Sequence, residues 1–447
     1  MTTAATQISP ENEREKKSAT ARFFASEATG SILLLICTVT ALVWANSAWS
    51  GAYFHILEAK IGFTWNDSRF ALSFGHWIND GLMALFFFVV GLEIKREVLV
   101  GELSSWRKAV LPVAAALGGM VLPALIYLVF NQQGPSSRGW GIPMSTDIAF
   151  AVGILALLGP RVPTGLKIFL TALAIADDLG AVLVIALFYS DRLSIGAMIA
   201  AGAFLGLIVL ASRLRVKRIG VYAVLVIAVW LAVLASGIHA TVAGILLAMV
   251  VPVRGRIQPK QFFAVARQRL ATLEAGELIG EDTTTLKREE MEAMEELHQA
   301  TSDVMPAGLA FERLLHPITA FLILPVFALF NAGVVLDTKI IHALAHPVGL
   351  GVLFGLVLGK QAGVTITSWL VIRFRLADMP AGVTWGQIYG AAILAGIGFT
   401  MALFVSDLAF DTEPFLGFSK VGILAASLLC AAGGYYVLRM ALGKVYE

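Results

Sequence analysis

Apolar runs of about 17 to 25 residues, the length a helix needs to cross the hydrocarbon layer of a bilayer, follow one another along almost the whole chain. Twelve can be marked, at 30–46, 77–94, 109–130, 141–158, 168–189, 195–212, 220–235, 239–252, 317–335, 348–372, 388–407 and 421–440. This pattern excludes a soluble globular domain and predicts an all-α polytopic membrane protein with 12 transmembrane helices. The composition agrees: 58% of residues are hydrophobic, 14% are charged, and mean hydropathy is +0.80. The basic residues are scattered among short connecting segments, so the net charge of +2 indicates no nucleic-acid partner. Cys37 and Cys430 both fall in apolar runs and read as small hydrophobes rather than a disulfide framework. The first 21 residues are polar and mixed in charge and lead straight into a long apolar run, so the first span reads as its own uncleaved insertion signal.

Cytoplasmic segments of membrane proteins carry an excess of Lys and Arg. With the N terminus inside, internal segments hold 26 of the 33 basic residues and external ones six, with Lys360 left within a span. Both termini are therefore expected in the cytoplasm, with an arm over 1–29, a twelve-helix domain over 30–440 and a tail over 441–447. Two connections are long. The external stretch 47–76 has short alternating segments around Asn66-Asp67-Ser68, a hairpin signal, and reads either as a surface loop or as a contact between two copies. The internal loop 253–316 is soluble in character; between 271 and 300 it holds nine acids against two bases, and TTTLKREEMEAMEELHQ reads as a solvated helix.

Asp80, Asp147, Asp177, Asp178 and Lys360 stand inside the apolar runs. Each costs about 2.5 to 3.5 kcal/mol near the bilayer centre even on the gentler insertion scale, so unpartnered they would together cost roughly 12 to 18 kcal/mol. That exceeds an ordinary folding stability. These side chains must pair, meet water or bind something. The midpoint of the fifth run lies between residues 178 and 179 and that of the tenth at 360, so the adjacent acids and the lysine share the mid-membrane level. Asp147 is within three residues of the centre of the fourth run, whereas Asp80 is close to the outer end of the second, where it is expected to reach water. Neighbouring helix residues point about 100° apart, so Asp177 and Asp178 face different targets. Lys360 is the natural ion-pair partner for one of them.

In GIPMSTDIAF, Pro143 cannot donate its amide, and Ser145, Thr146 and Asp147 are residue types that cap a new helix, so the fourth span is expected to break near 144–147. In LAGIGFTMAL, Gly396 and Gly398 loosen the backbone ahead of Thr400 in the eleventh span. Each break falls in the middle member of a triple, spans 3–5 and 10–12, and the two triples run in opposite directions. That is the layout of inverted-topology repeats, in which interrupted helices mark a binding site at the midplane. Half-helix ends would meet there, with Asp147 offsetting the positive ends and Lys360 the negative ones.

The stretches WINDGLMALFFFVVGLEIKRE (77–97), IPMSTDIAFAVGILALLG (142–159), LKIFLTALAIADDLGAVLVIALFY (166–189), SGIHATVAG (236–244), LPVFALFNAGV (324–334), LVLGK (356–360) and GIGFTM (396–401) resemble the NhaA-type sodium/proton antiporters from the first span to the last. The resemblance implies that Asp178 is the central cation ligand, and that Asp177 takes part in proton exchange and pairs with Lys360. Thr146 and Asp147 match the family's interrupted fourth helix. Glu93, Arg96, Glu312 and His316 match residues linked to pH activation, and His239 matches a histidine of the pH response. It further implies a bacterial inner-membrane protein that needs no cofactor, moves Na⁺, Li⁺ and H⁺ with two protons per sodium, and forms a homodimer in the bilayer through the 47–76 loop. The internal loop 253–316 is longer than the usual family version, which leaves the pH response open.

A carboxylate holds a hard cation or a proton but not both, so one acid can exchange them. Two rivals stand against exchange. A sodium-coupled symporter of an organic solute needs a roomy polar cavity, and few midplane polar groups exist beyond the acids, Lys360 and the threonines. An intramembrane aspartyl protease needs two carboxylates at one site, which Asp147 and Asp178 would mimic, but leaves the lysine without a purpose.

Overall fold

A computed structural model of the chain describes residues 10–443 apart from 66–67, 191–192, 215, 217–218, 254–258, 276–287, 305–306, 336–339 and 411–412. Helices packed side by side make up nearly all of it. Among the described residues nine are long and apolar enough to cross a membrane, and Trp385–Ala395 with Phe399–Ala409, bent by 41° at their junction, make a tenth span when taken together. The chain is thus an all-α multi-pass membrane protein. Two of the twelve expected spans fall short of the others in length, and the eighth is also shorter than drawn. The seventh is Ile219–Ala235, 17 residues. The eighth is Thr241–Val250, only 10 residues, or about 15 Å, half the hydrocarbon thickness. The cause lies at its start: Gly237 has φ +82°, a conformation that ends one helix, and Ser236 turns its hydroxyl back to Val233 O at 2.7 Å. Its other end is held by Lys95, whose Nζ donates to Met249 O and Val251 O, both at 2.6 Å.

The long loops also differ from expectation. The ninth span begins at Ala307 rather than 317, so the last ten residues given to the internal loop are membrane helix. What remains of that loop contains Pro259–Ala275 and Arg288–Val304, helices that pack against each other and are joined by Arg269 and Glu296. The expected solvated helix corresponds to the second of these; its first residues, 283–287, lie outside the described residues. In the stretch 47–76, an unforeseen helix Ser50–Glu58 precedes an antiparallel hairpin of β1 (Lys60–Trp65) and β2 (Ser68–Ser73), paired from Lys60↔Ser73 to Trp65↔Ser68. Its turn residues Asn66 and Asp67 lie outside the described residues, as does the end of the tail, 444–447.

One helix pair fixes the centre of the molecule. From Ala109 onward the helix Trp106–Phe130 is apolar all round; Val113, Leu117, Val121, Leu125 and Val129 point outward, while the inward face carries the small residues Ala115, Ala116, Gly119, Pro123 and Ala124 among larger ones such as Leu111, Met120 and Tyr127. Lipid is as apolar as leucine, so helices in it associate by close approach of small residues. The partner, Pro347–Arg373, supplies Gly351, Gly355, Gly359 and Gly363, four residues apart and so on one face. A Cβ on Gly363 would collide with the backbone oxygen of Gly118, and one on Gly359 would stand 2.7 Å from the Cα of Pro123. The two backbones therefore touch. Within this stretch, Gly355–Lys360 widens into a π-helical turn, a distortion frequent at functional sites, and Lys360 ends it.

Candidate functional site

The fourth span is broken where the sequence placed the break. A 3₁₀ helix ends at Met144, Ser145 to Asp147 run extended, and Ile148–Leu157 restarts with Asp147 as its N-cap, the carboxylate accepting from Phe150 N–H at 3.1 Å. This break crosses the one at 396–398. Asp147 N–H donates to Ile397 O at 2.6 Å, and Thr146 Oγ1 donates to Ala395 O at 2.8 Å. Asp147 Oδ2 accepts from Thr400 N–H at 3.0 Å and from the Thr400 hydroxyl. One carboxylate thus meets the positive ends of two half-helices, its own and Phe399–Ala409. The negative ends are met as well: Lys360 Nζ donates to Met144 O, the last carbonyl of the 3₁₀ helix, and Thr146 serves Ala395.

The glycines at the second break act differently from expectation. Gly396 and Gly398 have φ −73° and −90°, open to any residue, so conformational freedom is not their purpose. Space is. A Cβ on Gly396 would stand 2.6 Å from Cys430 Sγ and 2.7 Å from Leu356 O. Pro143 packs its ring in the same way against Gly355.

Asp177 and Asp178 stand mid-way along Thr164–Phe188, both buried. Lys360 Nζ donates to Asp177 Oδ1 at 2.8 Å and Oδ2 at 2.7 Å, and both side chains are fully enclosed. Thr146 borders the same carboxylate. Asp178 is 3% exposed, its Oδ1 has no hydrogen-bond partner, and Asp177, Glu93, Asp147 and Lys360 all lie within electrostatic reach. A buried carboxylate oxygen without a donor is costly, and such an exception calls for a functional explanation. Among the described residues no three acids, histidines or cysteines are gathered to hold a metal ion. A cation beside Asp178 would therefore complete its oxygen shell with hydroxyl, backbone or water oxygens.

The residues matched to a pH response form two groups rather than one. Arg96 pairs with Glu97 at 3.1 Å and Glu312 at 3.4 Å, joining Met83–Leu99 to Ala307–Ile318, with Glu93 and His316 within the field of Arg96. His239 is elsewhere, about 20 Å along the second span at 1.5 Å per residue. It faces Asp80: Nε2 lies 3.3 Å from Asp80 Oδ1 and Nδ1 lies 2.8 Å from Thr241 Oγ1. His76 Nε2 holds the other Asp80 oxygen at 2.8 Å. Asp80 is only 6% exposed, so the expectation that it reaches water is overturned: two imidazoles take the place of solvent. His76 precedes Asp80 by one helical turn, a spacing that marks the pair in sequence; the approach of His239 leaves no such mark.

Two interrupted helices crossing among buried carboxylates and a lysine define a membrane protein with the discontinuous-helix site that secondary transporters use. A family model described as Na+/H+ antiporter 1 matches residues 21–438, and the chain belongs to that family. Proteins named Na(+)/H(+) antiporter NhaA are similar over most of their length. That of Oleidesulfovibrio alaskensis is 47% identical over 421 residues, covering 94% of this chain and 93% of the relative. That of Bordetella parapertussis is 46% identical over 419 residues, covering 94% and 95%. A protein named NhaA 2 from Syntrophotalea carbinolica is 46% identical over 424 residues, covering 94% and 96%.

Proposed function

We propose that this chain is a sodium/proton antiporter of the bacterial inner membrane, expelling Na⁺ or Li⁺ in exchange for protons, and that Asp178 is where the two compete. The observation that carries the reading is the enclosed, donor-free Asp178 oxygen beside a Lys360–Asp177 pair. Ionised, Asp147, Asp177 and Asp178 outnumber the one ammonium, and this excess negative charge is neutralised by a metal cation or by protons, whichever occupies the site. Asp147 and Thr146 hold the crossing together, so the oxygens around Asp178 are presented by a rigid frame. Asp177 takes part in proton exchange through its bond to Lys360. Two protons against one sodium would move one net charge inward, worth about 2.3 kcal/mol per 100 mV of membrane potential.

The architecture assigned to this activity has twelve spans with both termini in the cytoplasm and inverted repeats over spans 3–5 and 10–12. The Lys and Arg distribution supports the orientation. The opposed breaks at 144–147 and 396–398 support the repeats, and the interrupted-helix bundle moves to expose the site to either side. The Arg96–Glu312 group adjusts the rate to pH, and two copies associate through the β1–β2 hairpin. Replacing Asp178 by Asn keeps the shape and removes the exchangeable charge. Na⁺-dependent proton flux in proteoliposomes is expected to fall to background; exchange at the parental rate in that variant would end the assignment.

A further inference from the structure

An exchanger must hold its site closed to one side of the bilayer while it opens to the other. At the end of the bundle opposite the Glu93–Arg96–Glu312 group, a line of side-chain bonds joins four helices. Asn331, the last residue of Leu324–Asn331, donates to Asn79 Oδ1 at 2.9 Å. Asn79, in the wide turn Trp77–Leu82, donates to Asp407 Oδ2 at 3.1 Å. The other Asp407 oxygen pairs with Lys420 Nζ at 3.1 Å, with the two side chains 14% and 13% exposed. Tyr53 feels the Asp407 charge and gives its own hydroxyl to Leu329 O at 2.9 Å. Asp80, with His76 and His239, follows directly in the chain.

The position of Asp407 gives this line its meaning. Seven residues beyond Thr400, about two turns, it sits on the half-helix Phe399–Ala409 whose Thr400 N–H and hydroxyl hold Asp147. Lys420 belongs to the next helix, Phe415–Gly443. Asn79 and Asn331 belong instead to Phe74–Leu99 and Ala307–Asn331, which run through without a break. The Asn79–Asp407 bond thus ties the broken eleventh helix, which carries the crossing, to helices that do not. Beneath it Phe404 packs on Phe87 and Phe327, with ring centroids 5.5 and 6.4 Å apart. Largely enclosed ion pairs are a poor device for stability alone. They suit a contact that must exist in one arrangement and part in another.

We propose that Asp407, gripped by Asn79 and Lys420, is a positioning residue that latches the outer end of the broken eleventh helix to the second and ninth spans while the site opens inward. The latch must part before ions leave. This rests on the antiport reading and adds to it a residue that does not touch the ion. Removing the latch shifts the population toward the outward-open form, and apparent affinity follows the fraction of binding-competent protein.

The test uses the full chain in vesicles of one orientation. For Asp407→Asn, which keeps the shape and loses the ion pair, half-saturating Na⁺ at the outer face is expected to fall about 3- to 10-fold, with no fall at the inner face. An unchanged or raised outer value overturns the latch, because a merely structural defect lowers maximal flux or weakens both faces alike. A second arm places Asn79→Cys and Asp407→Cys in a Cys37→Ser, Cys430→Ala background and bridges them with a short reducible bifunctional thiol reagent. Flux should drop about tenfold or more and return on reduction; bridged protein exchanging at its unbridged rate also overturns the latch. Parental protein without Na⁺-dependent proton flux would sink the antiport reading and the latch with it, whereas parental flux with either negative result sinks the latch alone.

Discussion

Lys360 shows how much one side chain carries in a setting without water. It satisfies both oxygens of Asp177 and the final carbonyl of the 3₁₀ helix, while being fully enclosed itself. Removing one member of a buried pair leaves an uncompensated charge and costs about 3–5 kcal/mol, whereas removing both charges is often close to neutral. Lys360→Ala should therefore lower the thermal midpoint in detergent sharply, and adding Asp177→Asn should recover most of the loss while exchange stays impaired in both. A single variant that melts like the parental protein would show the pair to be idle. Much of this was legible at the residue scale, because depth in the membrane is set by counting. Asp177, Asp178 and Lys360 fall at the midpoints of their runs, and charges there must find partners. For Asp80 the same count is not enough. Nearness to a span end suggests water, but His239 arrives from 159 positions away and closes the approach, and linear spacing carries no trace of that.

At the scale of helices, the sequence marks where a helix breaks more clearly than why. Residues 143–147 announce their interruption through the chemistry of proline and capping side chains, and the break is found there. At 396–398 the glycines suggest flexibility, yet they serve close packing against Cys430 and Leu356, a tertiary fact. The ladder Gly351, Gly355, Gly359, Gly363 is a four-residue repeat of small residues in the sequence, but glycine is common in membrane helices, so the spacing alone does not single it out. It carries a test. A side chain at Gly363 strikes Gly118 backbone and must push Pro347–Arg373 away from Trp106–Phe130, taking Lys360 with it. Gly363→Val is expected to cost at least about 1–3 kcal/mol of stability and to abolish exchange. Gly206→Ala, where nothing lies within 4 Å of the added carbon, should leave thermal midpoint and flux unchanged. Equal behaviour of the two would remove the ladder from the account.

For the whole molecule, run length fixed the layout where a run was one helix and failed where a run was divided or continued. Ten spans correspond to long apolar helices or a bent pair. The run 239–252 hid a short helix behind the turn at Gly237, and the loop 253–316 hid ten residues of the ninth span. The hairpin is the part least accounted for by the single chain. Two strands alone are marginal in water, and among the described residues neither β1 nor β2 has a second strand neighbour. Ile61 is 51% exposed, Phe74 N–H donating to Ala59 O at 2.8 Å adds one rung to the hairpin itself, and Trp77 Nε1 donates to Ile61 O at 3.0 Å. A second copy pairing with these edges would explain why a two-stranded element is built so regularly. The cluster proposed to hold the ion, in contrast, lies on helices of one chain, between Trp106 and Phe188 and between Pro347 and Gly443. Replacing residues 61–72 by a short glycine linker should thus convert dimers to monomers, measured by light scattering with correction for detergent, while flux per chain in proteoliposomes stays within about twofold of parental. Dimers that survive the deletion would place the contact elsewhere, and monomers without flux would mean that each chain needs its neighbour to move.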